Sequence, residues 1–124
     1  MKRFVLLLSV IGLTACAAGA PQPRPADFPL HEHDQVFVLD YRLDRQPNRV
    51  EAVGLITSRT TTTFRFAVLN LYGVAANGRV VSRDSYVING TFGGPQSFSL
   101  GLKPTGEEVR YQLQVGNYSL GRDL

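Results

Sequence analysis

Few side chains in this sequence are able to do chemistry, and the densest group of them is Leu30-His31-Glu32-His33-Asp34, which holds both histidines of the chain. In an extended segment alternate side chains point the same way, so His31 and His33 fall on one side and Glu32 and Asp34 on the other. Two imidazoles could hold Cu(II), Ni(II) or Zn(II) loosely. A closed structural zinc site takes four ligands, and no histidine or cysteine follows this cluster. His31 and His33 are therefore weak metal candidates, and a solvated polar lead-in to the first strand accounts for them more simply. No metal and no other dissociable cofactor is expected.

Covalent catalysis is hard to assemble. Ser85, Ser97 and Ser99 fall in strand-like runs, the histidines sit in the lead-in, and there is no Gly-x-Ser-x-Gly elbow. Glu107-Glu108 follow the turn Pro104-Thr105-Gly106 with Lys103 and Arg110 nearby, which reads as solvated surface. Gly90 and Gly93-Gly94 have no helix N-terminus beside them to receive a phosphate, so they read as turn formers. The expectation is a protein that is not an enzyme. Arg42, Arg49, Arg59, Arg65, Arg79, Arg83 and Arg110 lie in or beside strands. A face built from several of them could grip phosphates or carboxylates bidentately. A wet sheet surface with edge charges that block aggregation is the simpler account. Arg79, Arg83 and Tyr86 are the residues singled out as a possible interaction surface.

The elements that must position these groups are strands. From Gln35 onward apolar residues recur with a period of two. Phe37, Leu39, Tyr41 and Leu43 alternate, and Asp44-Arg45-Gln46-Pro47-Asn48 reverses the chain. Val50, Ala52, Gly54 and Ile56 make a second strand. Thr60 to Thr63 continue into Phe64, Phe66 and Val68 as a third, which runs to Tyr72. Asn77-Gly78 supplies a hairpin turn. Residues 79–88 form a fourth strand, polar on both sides and hence suited to an edge. Phe98, Leu100 and Leu102 follow, and then Val109, Tyr111, Leu113 and Val115. Tyr118 and Leu120 resume in the opposite parity after Gly116-Asn117, which a bulge explains. Six or seven short strands with frequent turns predict a β-sandwich or small barrel. The clean alternation of the last strand favours a sandwich, with one dry and one wet face per layer.

The N-terminus has a different character. Lys2 and Arg3 precede a short apolar run, residues 4–13, too short for the roughly 20 residues of a membrane span. A basic start, an apolar stretch and small residues is the layout of a secretory signal. The sequence Leu13-Thr14-Ala15-Cys16 resembles the lipobox of bacterial lipoproteins. The resemblance implies cleavage before Cys16 and a covalent lipid, a diacylglycerol with an amide-linked acyl chain such as palmitate, on that residue. Cys16 is the only cysteine, and an unpaired thiol is otherwise awkward in an oxidising compartment. Ala17, where Asp would mark retention at the inner membrane, implies the outer membrane facing the periplasm. Residues 16–34, with Pro21, Pro23 and Pro25, read as a flexible tether biased to polyproline II.

Of 13 basic residues, Lys2 and Arg3 leave with the signal, so 11 face 10 acidic ones in the remaining 109 residues. That balance carries no electrostatic footprint for nucleic acid.

The strand region itself, residues 36–115, resembles the FxLYD-type, immunoglobulin-like domains of bacterial envelope proteins. The resemblance is carried by Val53-Gly54-Leu55-Ile56, Leu69-Asn70-Leu71-Tyr72, Asn77-Gly78-Arg79-Val80-Val81 and Gly94-Pro95-Gln96-Ser97-Phe98-Ser99-Leu100. Leu69 and Gly73 stand where the Phe and Asp of the name would be, and Thr57-Ser58 replace an expected Asn. What it implies is an exported accessory or interaction module, with no catalytic residue to carry over.

The sequence therefore predicts an all-β protein in three parts. Residues 1–15 are a signal peptide, 16–34 an acylated cysteine and Pro-rich tether, and 35–124 a single immunoglobulin-like β-sandwich of six to seven antiparallel strands. The expected role is that of a membrane-anchored envelope lipoprotein whose partners are the membrane, through its lipid, and another envelope protein. Binding of a small ligand, whether glycan, lipid or metal, is the alternative.

Overall fold

The structure, a computed structural model, describes residues 22–120. It is a two-layer antiparallel β-sandwich of seven strands: β1 (Leu30–His33), β2 (Phe37–Gln46), β3 (Arg49–Ser58), β4 (Phe64–Ala75), β5 (Val80–Phe92), β6 (Gln96–Leu102) and β7 (Glu108–Leu120). One sheet runs β1-β2-β3-β6 and the other β5-β4-β7. The chain makes hairpins within a layer at β1–β2, β2–β3 and β4–β5, and changes layer between β3 and β4, β5 and β6, and β6 and β7. The pairing of β2-β3-β6 and of β5-β4-β7 follows the order A-B-E and C′-C-F of an immunoglobulin-type sandwich.

The period of two dictates which residues meet between the layers. Phe37, Leu39 and Tyr41 of β2 face Ala52, Ile56, Phe98 and Leu100 within their own sheet, and all pack on Leu69, Leu71 and Leu113 of the other. Phe37, Phe64, Ile56, Leu69, Leu71 and Leu113 are the largest side chains wholly removed from water. Burying each contributes on the order of 1.5–3 kcal/mol, which in a chain without a disulfide has to hold the layers together. Aromatic rings finish one end of the core. Phe37 and Phe64 lie 4.5 Å apart, and Tyr118 meets both edge-on at 5.4 and 5.5 Å, a geometry the ring quadrupoles favour.

At Gly54 the sheet leaves no space for a side chain. It pairs with Tyr41, and a Cβ there would overlap the Asp40 carbonyl oxygen and the Tyr41 backbone.

Four of the strand limits that differ from the sequence reading do so for a local reason; β4 also runs on past Tyr72 to Ala75. Leu30–His33, placed there in the tether, form β1 and pair with residues 38–41. The folded body reaches further back still: Pro25–Asp27 make a 3-10 turn, and Phe28 is buried with the Arg42 guanidinium 6.0 Å from its ring. Residues 25–34 are thus docked rather than free; Pro25 fits the first turn of a 3-10 segment as well as a polyproline stretch. The hairpin reversal is confined to Pro47-Asn48, with Asp44, Arg45 and Gln46 still in β2. The third strand begins at Phe64, not Thr60. The intervening threonines form the passage between layers, where Ser58 Oγ accepts from Thr60 N at 3.2 Å and Thr60 Oγ1 from Thr62 N at 3.1 Å. Such hydroxyls satisfy the backbone outside a sheet and compete with strand pairing. The fourth strand continues past Ile88 to Phe92, because Gly90, at φ +97, absorbs a register shift instead of ending the strand.

The predicted bulge is present. Ala67 pairs with Tyr118 and Leu69 with Val115, so β7 carries one extra residue around Gly116-Asn117 and its parity changes there. β5 lies at the edge of its sheet, as its two polar faces suggest.

Candidate functional site

Each member of the His-rich cluster is tied to a separate partner. His31 Nδ1 stands 2.6 Å from Asp40 Oδ1, its cross-strand neighbour. Asp40 is 4% exposed, so the imidazole serves a carboxylate that water barely reaches. Glu32, on the other side of β1, accepts a 2.7 Å hydrogen bond from the Tyr41 hydroxyl. Burial, then that hydrogen bond and the Glu32 charge, push the Tyr41 hydroxyl well above its usual range, so it remains a donor. His33 Nδ1 lies 3.4 Å from an Arg59 nitrogen, and the same guanidinium donates to the Asp34 carbonyl. Asp34 Oδ1 accepts from the amides of Val36 and Phe37 at 2.7 and 2.6 Å and so sets the entry into β2. His31 and His33 share a side, as strand geometry requires, but do not converge on one point. Among the described residues no three of His, Cys, Asp and Glu gather in a metal-holding group.

The serines are placed elsewhere. Ser97 and Ser99 lie on β6, at the opposite edge of the sheet from β1. Three strand spacings separate them from the histidines, about 14 Å. Ser85 Oγ donates to Asn70 Oδ1 at 2.5 Å. No nucleophile and base are brought into contact by these residues.

The two outer strands of sheet β5-β4-β7 each have one side without a strand partner among the described residues. On β5, Arg83 pairs across from Tyr72 and projects from the outer face, whereas Tyr86 pairs across from Leu69 and points to the inner one. Arg79 precedes the strand. All three are exposed, yet Arg83 and Tyr86 do not share a face.

The β7 side carries a feature the sequence reading missed. A groove of about 270 Å³ opens between the layers, with Phe37 and Leu39 of β2 on one wall and Leu113, Gln114 and Val115 of β7 on the other. Glu32, His33 and Asp34 form its lip. At one end Tyr118 closes on Phe37. At the other, Arg45 of β2 reaches across to the Tyr111 ring of β7, its guanidinium carbon 5.2 Å from the centroid. Burial and the Glu108 charge push the Tyr111 hydroxyl up, against a smaller opposing effect of Arg45. Nothing local announces this groove, because it depends on how β2 and β7, separated by most of the domain, line up across the layers.

Glu108, read from the sequence as solvated surface, is a second missed residue. Its carboxylate accepts from Ser82 Oγ, Thr105 N and Gly106 N at 2.5, 2.8 and 2.9 Å. The signal was present: a carboxylate shortly after a Pro-Thr-Gly turn can accept from turn amides that no strand uses.

Fold and site together define a two-layer β-sandwich with one open side, where polar residues of β1 and β7 rim a groove floored by apolar ones. No protein-family model matches the chain, and none of the curated proteins or solved structures compared with it is significantly similar. Cys16, Ala17 and the signal lie outside the described residues.

Proposed function

We propose that this is a bacterial envelope lipoprotein, anchored through lipid on Cys16 after loss of residues 1–15, whose sandwich works without catalysis as a protein-interaction or accessory module. Ala17 favours the outer membrane, with the body in the periplasm. The observation that carries the interaction half is the sheet β5-β4-β7, which among the described residues has an unpaired side at each edge. Unpaired strand N–H and C=O groups are a ready template for another chain. The FxLYD-type resemblance of residues 36–115 agrees with an accessory role. A lipid on Cys16 with two or more chains gives stable membrane attachment, where a single chain holds only marginally.

A second reading, binding of a small glycan, lipid or metal, has the groove in its favour. Its volume, about 270 Å³, lies just under the roughly 300–1,000 Å³ usual for small-molecule sites.

Palmitate labelling of the native chain against Cys16→Ala tests the anchor: label is expected in the first and lost in the second, and equal label overturns the assignment. Crosslinking in intact membranes tests the interaction, with one reproducible protein partner expected. A thermal shift with millimolar sugars or divalent metals, and no crosslinked partner, would replace it with the second reading.

A further inference from the structure

The two sides of sheet β5-β4-β7 that lack a strand partner among the described residues are not equivalent. On the β5 side, β6 of the opposite layer lies against β5 and closes the sandwich. On the β7 side the layers stay apart and the groove runs alongside the strand. β7 holds the place of strand F, and the immunoglobulin order puts one more strand, G, outside F; among the described residues nothing occupies that place. From Tyr111 to Leu120 the strand has neither a charge nor a proline, two of the devices that keep an edge from pairing; the third, a bulge, is confined to Gly116-Asn117. Val109, Tyr118 and Leu120 stand exposed along it.

Charge is distributed unevenly over the opening. The end near Phe37 carries Glu32 and Asp34, and among the described residues neither carboxylate has a lysine or arginine within ion-pair reach. The Arg59 guanidinium, bound to the Asp34 carbonyl and His33, lies at this end too and offsets one of the two negative charges. The opposite end carries Arg45 at Tyr111, with Arg110 next in sequence and the Glu108 carboxylate close enough to act on the Tyr111 hydroxyl.

Resting on the interaction reading above, we infer that the groove takes an extended strand of a partner protein. It lies antiparallel to β7, sends apolar side chains between the layers at alternate positions, and carries a basic residue at its N-terminal end and an acidic one at its C-terminal end. Every pairing in this sheet is antiparallel, which sets the direction. β7 runs from the Arg45 end to the Glu32 end, so the partner begins at Glu32 and Asp34. Main-chain hydrogen bonds to a sheet edge supply affinity in such additions, and pockets for every second side chain supply selectivity. Same-side residues recur about every 6.6 Å along a strand; the space they enter has the buried Phe37, Leu39 and Leu113 at its floor and Val115, Gln114 and the β1 lip at its sides.

The test uses the full chain in lipid nanodiscs and a synthetic peptide of about ten residues, enough for a strand of ordinary length. The peptide alternates valine and threonine, with lysine first and glutamate last. Hydrogen exchange read by mass spectrometry is expected to slow across residues 110–120 and not across 80–92. A peptide with the lysine and glutamate exchanged is expected to bind at least tenfold more weakly. Unchanged exchange at millimolar peptide, slowing along β5 instead, or equal affinity for the two peptides overturns the inference. So does a dimer whose β7 amides are already protected without peptide, since the occupant is then a second copy. If β7 stays unprotected while crosslinked membranes still yield a partner, only the groove assignment falls. If neither is seen, the interaction reading falls with it.

Discussion

Glu108 Oε2 and Ser82 Oγ meet at 2.5 Å across Gly73, so that a single hydrogen bond joins the two outer strands of a three-stranded sheet over its middle one. A Cβ at position 73 would collide with the Ser82 hydroxyl and with Glu108 Cγ. The glycine is there for room. The contact ties the β6–β7 turn to β5 and gives the end of the sheet opposite the aromatic cluster its own closure.

The first expectation concerns acid. Burial pushes the Glu108 carboxyl up, but the Ser82 hydrogen bond and the backbone amides that it accepts outweigh this and hold it down, to about 2. Its ordinary value is about 4.5. The unfolded chain therefore takes up this proton more readily, and the stabilisation is complete above about 4.5 and lost as pH falls toward about 2. Glu108→Gln should be less stable than the native chain at neutral pH, with the difference shrinking over that window. Urea unfolding at a series of pH values measures it; parallel stability curves for the two proteins would show that the carboxylate contributes nothing.

His31→Ala leaves the Asp40 carboxylate buried without its side-chain partner. A buried acceptor stripped of its donor costs about 1–3 kcal/mol. His31→Ala with Asp40→Asn should recover part of that loss, because the amide carries no charge to desolvate. A double-mutant cycle by chemical denaturation gives the coupling; additive effects would mean that the 2.6 Å contact carries no energy of its own.

Gly54→Ala forces a methyl into the Asp40 carbonyl and the Tyr41 backbone. Overpacking of this kind costs about 1–3 kcal/mol, and here the obstructing atoms are backbone and cannot swing aside. The same change at Gly94, which has open space, should move the denaturation midpoint far less. Equal effects at both positions would contradict the close approach.

Thr57 Oγ1 is buried with no hydrogen-bond partner. Thr57→Val removes an unsatisfied hydroxyl and keeps the branched shape suited to a strand. Stability should be unchanged or higher by up to about 1 kcal/mol. A clear loss would reveal a partner for the hydroxyl.

What could be read in advance was whatever repeats locally. The alternation of Phe37, Leu39 and Tyr41 and of Tyr111, Leu113 and Val115 marked inward faces because period two is a property of each strand alone. The bulge at Gly116-Asn117 was legible for the same reason, since a change of parity is written in the order of residues. Strand limits were less so. Thr60 to Thr63 have strand-forming side chains, and only their hydroxyl-to-amide bonds show that they have left the sheet. β1 was hidden because all four of its residues are exposed and no apolar period marks it. The groove was beyond reach: Leu39 and Leu113 become opposite walls only through the order of the two layers, which no spacing along the chain encodes.

The short strand β1 also has a mechanical meaning. It is joined to the body by four paired residues, against ten between β2 and β3, and it lies on the N-terminal side, where a membrane anchor at Cys16 would pull. Tension from that end loads the 3-10 turn, Phe28 and β1 before any other strand. β1 buries none of its own side chains, so peeling it away breaks chiefly its four residue pairings and the His31–Asp40 and Glu32–Tyr41 contacts. The first element to yield under load is thus a fringe of the body, and it is the same fringe that supplies Glu32 and His33 to the groove.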